Sequence, residues 1–132
     1  MKFAKIVFWV AGVWGLLTLT PLYFIYDAIG RKDPPPITHP AFYFGFAGVA
    51  LAWQFAFFVI GSDPLRFRPL MIVSAIEKLG FGIPSAVLYL QHQLSTGDLG
   101  LGVVDLLFAV LFLVAFVATA ADRGLSIAQN QA

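Results

Sequence analysis

LGLGVVDLLFAVLFLVAFVATAA, residues 99–121, contains one charged side chain, Asp105, in an otherwise apolar run. A bilayer core about 30 Å thick needs about 20 apolar residues in a helix. The apolar character continues from residue to residue, without the alternation that a membrane β-barrel strand requires. This stretch therefore predicts a transmembrane α-helix.

Three other segments have the same character, at residues 6–26, 41–60 and 70–90. The short linkers between the four segments contain proline, glycine and polar residues, which end helices. With linkers this short, consecutive helices are expected to be antiparallel neighbours. The predicted fold is an all-α membrane protein, with residues 1–132 forming a single four-helix transmembrane bundle of up-down-up-down topology.

The composition excludes several classes of protein. Hydrophobic residues make up 60% of the chain and charged residues 11%, whereas soluble domains are about a quarter charged. A net charge of +1 argues against a nucleic-acid partner, and the absence of cysteine excludes disulfides and thiolate chemistry. The expected partner is the lipid bilayer and the expected location is the cell membrane, the inner membrane in a bacterium, with no cofactor.

Loop charges predict the orientation, since lysine and arginine accumulate on the cytoplasmic side. With both termini in the cytoplasm, only two such residues of the loops and ends, Arg31 and Lys32, lie outside. The cytoplasmic residues are then Lys2, Lys5, Arg66, Arg68 and Arg123. The opposite orientation reverses this ratio, so both termini are expected inside.

Polar side chains within the predicted spans are the candidate site residues: Gln54, Glu77, Lys78 and Asp105. A charge at the centre of a membrane helix costs roughly 2.5–3.5 kcal/mol, so such residues usually face other helices and often mark function. At 1.5 Å per residue, Gln54 and Glu77 should lie at matching depths, roughly 10–12 Å from the cytoplasmic end. We expect these two to contact each other, and Lys78 to extend toward the cytoplasmic headgroups.

Asp105 should lie nearer the outer face, because it follows the start of its span by only six residues. Thr18, Thr20 and Ser85 lie at a similar depth and are its expected hydrogen-bond partners. Glu77 and Asp105 are therefore expected at different depths and not as a paired-carboxylate site.

Two functions remain open from the sequence. Glu77, Gln54, Lys78 and Asp105 could form a polar pocket that binds, and in one version transports, a small amphipathic ligand or a proton. Alternatively, the same residues only join helices in an accessory or assembly subunit. No nucleotide-binding, hydrolase or metalloprotease motif is present, so an enzyme acting on a lipid ranks third.

Two secondary features also have alternative interpretations. His39 and His92 are either ligands of a metal ion or solvated loop residues. Both belong at helix ends and lack the spacing of a metal site, which favours solvated loop residues. Gly48, Ala52 and Ala56 recur at every fourth position, a pattern that serves packing within one chain or a homo-oligomer interface.

Single cysteines in this cysteine-free chain test the orientation. An impermeant thiol reagent added to intact cells should label Ser95→Cys and leave Ser62→Cys unlabelled, because the two turns are expected on opposite sides. Permeabilised cells, in which both cysteines should react, are the control. The reverse labelling pattern would show that the termini lie outside.

Overall fold

The computed structural model describes residues 1–130, and these form five α-helices with no β-strand among them. Four of the helices are long and apolar enough to cross a membrane, which confirms the four apolar segments predicted from the sequence. In chain order the helices are α1 (Lys2–Leu19), α2 (Tyr26–Lys32), α3 (Pro40–Ser62), α4 (Arg68–Leu90) and α5 (Thr96–Asn130).

The first long helix ends earlier than predicted. The sequence predicts one helix over residues 6–26, whereas α1 ends at Leu19 and a 3₁₀ turn over Thr20–Tyr23 follows it. Pro21 explains the difference, because proline has no N–H to donate and its ring crowds the preceding helical turn.

The short helix α2 lies in a stretch that the sequence analysis assigned to the end of the first span and the following linker. Asp27 lies in its first turn and Arg31 and Lys32 lie in its last turn. These charges are placed favourably with respect to the helix dipole. The hydroxyl of Tyr26 donates to the carbonyl of Ile37 at 2.8 Å, which ties α2 to the chain that follows it.

The last helix is longer than predicted. Its expected end was residue 121, but α5 continues to Asn130, because no proline interrupts this stretch and several of its residues favour helix. Residues 131–132 of the predicted domain, and the side chain of Arg123 used in the orientation argument, lie outside the described residues.

The helices pack as two close pairs, α1 with α3 and α4 with α5, and α1 also contacts α5. The sequence predicts that the consecutive helices α3 and α4 are close neighbours, yet they touch only sparsely. Glycines of α4 mark which neighbouring helix it approaches closely. A Cβ on Gly82 of α4 would lie 2.6 Å from Leu106 of α5, whereas a Cβ on Gly80 would meet no atom within 4 Å.

The hydrophobic core contains buried residues from all four long helices. Its centre is formed by Phe8 of α1, Phe57 of α3 and Phe112 of α5, all with no exposed surface. The rings of Phe8 and Phe112 stack at 4.3 Å, and those of Phe57 and Phe112 lie 5.1 Å apart. Met71 of α4 completes this centre. The core therefore joins the two helix pairs at the end that holds the turn between α3 and α4.

A second contact between α1 and α3 lies at Gly15. A Cβ on Gly15 would overlap the side-chain oxygen of Gln54, which is fully buried in α3. Close approach of two helices at a small residue is a common way to pack membrane helices.

Replacing Gly15 with alanine should destabilise the fold, because the added methyl group collides with Gln54. We expect a loss of roughly 1–3 kcal/mol, as for other overpacked cores. The measurement is thermal unfolding in detergent. Adding Gln54→Ala to Gly15→Ala should recover part of the loss. Gly100→Ala is the matched control, because a Cβ at Gly100 has open space around it. Equal stability of the Gly15 and Gly100 variants would contradict the contact.

Candidate functional site

A cavity of about 260 Å³ lies between the four long helices. Its walls are mostly apolar, and four charged residues face into it: Glu77, Lys78, Asp98 and Asp105. We call it the central cavity. The apolar lining residues are Trp14, Gly15, Leu19, Leu22, Phe46, Ala50, Phe81, Leu94 and Leu101, with Thr18 beside them.

Lys78 is the most deeply buried of these charged side chains, with 5% of its residue surface exposed. Its ammonium lies 3.2 Å from Asp105 Oδ1 and 3.5 Å from Glu77 Oε2. The ring of Phe57 is a further neighbour, with its centroid 5.2 Å from the ammonium. Two carboxylates and an aromatic face thus stabilise one buried cation.

The expectation that Lys78 reaches the headgroups was wrong. Extension toward water would separate the ammonium from both carboxylates, and these would then be left without a cation in an apolar surrounding. An unpaired buried charge is costly, at several kcal/mol per ion. The side chain therefore points into the protein, and α4 turns Glu77 and Lys78 toward the same cavity.

The prediction that Glu77 and Asp105 do not share a site was also wrong. Both carboxylates lie within ion-pair distance of the ammonium of Lys78. The close approach of α4 and α5 makes this possible, since a Cβ on Gly102 would lie only 2.6 Å from Ser85.

The hydroxyls predicted to bind Asp105 have other partners. Thr18 donates to the carbonyl of Trp14 at 3.0 Å, and Ser85 donates to the carbonyl of Phe81 at 2.7 Å. Thr20 is exposed in the 3₁₀ turn. Serine and threonine in helices commonly bond the preceding turn in this way, which leaves Asp105 to the stronger interaction with the ammonium of Lys78.

Gln54 does not join Glu77 as the sequence analysis expected. Its amide nitrogen donates to the carbonyl of Ala50 at 2.7 Å, and its oxygen has no hydrogen-bond partner among the described residues. The side chain lies against Gly15, because α3 packs on α1 and only sparsely on α4. Both Gly15 and Ala50 line the central cavity, so Gln54 lies directly behind its wall.

The charges of the cavity do not balance. Two carboxylates share one ammonium, so Glu77, Lys78 and Asp105 together carry a net charge of −1 when all are ionised. Their carboxylate side chains are only 17% and 14% exposed. Glu77 Oε2 lies at ion-pair distance from Lys78, yet it is buried and receives no hydrogen bond within the described structure. Glu77 therefore reaches the cavity through the part of its side chain that stays exposed, while its Oε2 is buried and paired with the ammonium of Lys78.

Asp98 lies at the start of α5, on the rim of the cavity. Its carboxylate accepts a hydrogen bond from the hydroxyl of Ser95 at 2.8 Å, and its own N–H donates back to that hydroxyl at 3.2 Å. Asp98 thus adds negative charge at the mouth while remaining hydrogen-bonded.

Sequence reasoning missed the aromatic members of the site. Phe57, Phe46 and Phe81 belong to apolar runs that contain many phenylalanines, and their type does not distinguish a lipid-facing ring from one in a cavity. Phe81 carried one usable signal, because it follows Glu77 by four residues and so shares its helix face.

The two histidines lie at helix ends, as expected. His39 precedes the first residue of α3, and His92 lies in the turn after α4. Among the described residues, no group of three or more histidine, aspartate or glutamate side chains is arranged to hold a metal ion.

Comparison of the chain with protein-family models, curated proteins and solved structures finds no match. The chemistry of the cavity is therefore the basis on which a function can be assigned.

Replacement of Lys78 tests the ion-pair arrangement. Lys78→Met leaves two buried carboxylates without their cation and should cost about 3 kcal/mol of stability. The triple variant Glu77→Gln, Lys78→Met, Asp105→Asn removes all three charges and should be more stable than Lys78→Met alone. Thermal unfolding in detergent is the measurement, and Lys5→Met, at an exposed lysine, is the control. A Lys78→Met protein as stable as Lys5→Met would contradict the arrangement.

Proposed function

We propose that this chain is a multi-pass protein of the cell membrane that binds a small amphipathic ligand in the central cavity. The observation that supports this proposal is a mostly apolar cavity lined by three carboxylate residues and one lysine, in which the Glu77 side chain is still 17% exposed. Ligand sites typically combine apolar walls with a few converging polar groups, and a ligand with a polar head and an apolar body meets both requirements.

The size of the cavity supports this proposal. An apolar cavity of about 150 Å³ already accepts benzene, and the central cavity is about 260 Å³. A short alkyl chain or a single ring with a small head group is of matching size.

Glu77 is the proposed contact for the head group. Lys78 and Asp105 hold it in place, since the shared ammonium joins all three side chains. Gln54 supports the wall behind the cavity through Gly15 and Ala50. Transport of the ligand or of a proton would use the same groups.

The proposed membrane arrangement is an up-down-up-down bundle with both termini in the cytoplasm. The loop charges favour it, and the outward surface supports burial in lipid. Large apolar side chains are exposed along every long helix, among them Leu17 of α1 at 70%, Val49 of α3 at 65% and Val117 of α5 at 68%. In water such a surface would promote association with other apolar surfaces.

The second candidate is an accessory subunit in which the charged residues only join helices. The specific observation in its favour is that Lys78 is already paired with both carboxylates and connects α4 to α5. In this role the cavity has no occupant, and filling it should have no functional consequence.

Thermal stabilisation by simple amphipaths distinguishes the two candidates. Purified protein is heated with octylamine, octanol or octanoate, and at least one of them should raise the melting temperature saturably, because a ligand that binds only the folded state stabilises it. At a concentration of about 100 times Kd the gain is about 2.7 kcal/mol.

A cavity-filling variant provides the control for this experiment. Ala50→Leu puts a larger side chain at a residue that lines the cavity and should abolish the stabilisation. Ala52→Leu, two residues along the same helix on its exposed side, should retain it. Saturable stabilisation that survives Ala50→Leu would place the ligand elsewhere, and no stabilisation by any probe would favour the accessory subunit.

A further inference from the structure

A second opening lies between α3 and α4, where the two helices touch only sparsely. It has a volume of about 480 Å³ and we call it the lateral crevice. Its walls are formed by Gly45, Phe46, Val49, Ala50 and Trp53 of α3 and by Glu77, Gly80 and Phe81 of α4.

The lateral crevice and the central cavity share part of their walls. Phe46, Ala50, Glu77 and Phe81 line both, so Glu77 can be approached from either side. The rings of Phe46 and Phe81 stack across the two helices, with centroids 5.8 Å apart and planes inclined by 30°. This aromatic pair therefore lies at the boundary between the crevice and the cavity.

Small residues keep the crevice open toward the outside of the protein. A Cβ built on Gly45 or on Gly80 meets no atom within 4 Å. The neighbouring Val49 is 65% exposed and Phe46 is 46% exposed. In the membrane arrangement proposed above, this side of α3 and α4 faces lipid, so the crevice leads from the acyl-chain region to Glu77.

The charges determine which head group fits. Three carboxylate residues, Glu77, Asp98 and Asp105, line the cavity with one lysine, so the cavity has an excess of negative charge when all four are ionised. A carboxylate or phosphate head group would be repelled by this excess, whereas an ammonium brings both a positive charge and N–H donors. A hydrogen bond to a charged group contributes about 1.5–3 kcal/mol.

Resting on the proposed function, we propose that an amphipathic amine dissolved in the bilayer reaches Glu77 sideways through the lateral crevice, past Phe46 and Phe81. Its ammonium lies in the central cavity against the exposed part of the Glu77 carboxylate, and its alkyl chain extends back into the crevice. The rival route leads from water through the mouth of the central cavity beside Leu94 and Asp98, and a ligand that used it would not need the crevice.

Tryptophan fluorescence can report occupation of the crevice. Trp53 lines it and Trp9 does not. The protein is placed in phosphatidylcholine nanodiscs in two forms, one that retains only Trp53 (Trp9→Phe, Trp14→Phe) and one that retains only Trp9 (Trp14→Phe, Trp53→Phe). The probes are 8-bromooctylamine, 8-bromooctanol and 8-bromooctanoate, whose bromine quenches a nearby indole and whose chains are matched.

The amine should quench Trp53 saturably and more tightly than the alcohol, with the carboxylate weakest. Trp9, 50% exposed on the outer side of α1, should show only the gradual quenching caused by probe dissolved in the lipid. Glu77→Gln in the Trp53 form should weaken binding of the amine by about tenfold or more, because the charged hydrogen bond is lost.

Gly80→Leu tests the route itself. The leucine side chain fills the crevice, and exclusion of about two methylene groups of the probe, at about 0.8 kcal/mol each, lowers the affinity roughly tenfold. Gly100→Leu is the matched control, since Gly100 also has open space around it but lines neither the cavity nor the crevice. Its affinity for the amine should equal that of the unsubstituted Trp53 form.

The outcomes separate this inference from the proposed function. If octylamine stabilises the protein thermally but Trp53 quenching does not saturate, or Gly80→Leu binds normally, the lateral route is wrong and the ligand-binding function stands. If the carboxylate binds more tightly than the amine, the assignment of the head group is wrong. If no probe stabilises the protein or quenches Trp53 saturably, the proposed function itself fails.

Discussion

The buried ammonium of Lys78 is the constraint on which the rest of the site depends. A cation that is 5% exposed is tolerated only where counter-charges surround it, since removing an ion from water costs several kcal/mol. Glu77 from the same helix and Asp105 from the neighbouring one meet this requirement. The position of α5 relative to α4 is therefore tied to the reach of one lysine side chain, and Gly82 and Gly102 allow the two helices to come this close.

The packing divides the protein into two parts with different properties. At one end, fully buried phenylalanines pack against one another between the helix pairs. At the other end the space is not filled, and the charged residues face the central cavity. The dense part stabilises the arrangement of helices, and the open part holds two carboxylates and the ammonium with which both are paired.

Glycines serve two opposite purposes in this chain. Gly15 and Gly102 lie where a second helix approaches so closely that a side chain would collide with Gln54 or Ser85. Gly45 and Gly80 have open space around them and line the lateral crevice. The same residue type thus allows the close contacts α1–α3 and α4–α5 and leaves a gap between α3 and α4.

The sequence by itself determined the four apolar helices, because helix formation in a long apolar run depends on local properties: length, lack of charge and the position of proline. It also singled out Glu77, Lys78 and Asp105, since a charge in such a run is rare and costly. Only the tertiary structure decided that Lys78 points inward to both carboxylates and that Gln54 faces α1. These directions depend on which helices approach each other, and that choice is made by contacts between residues far apart in the chain, such as Gly102 with Ser85 and Gly15 with Gln54. Depth along a helix can be counted from the sequence, but the neighbour at that depth cannot.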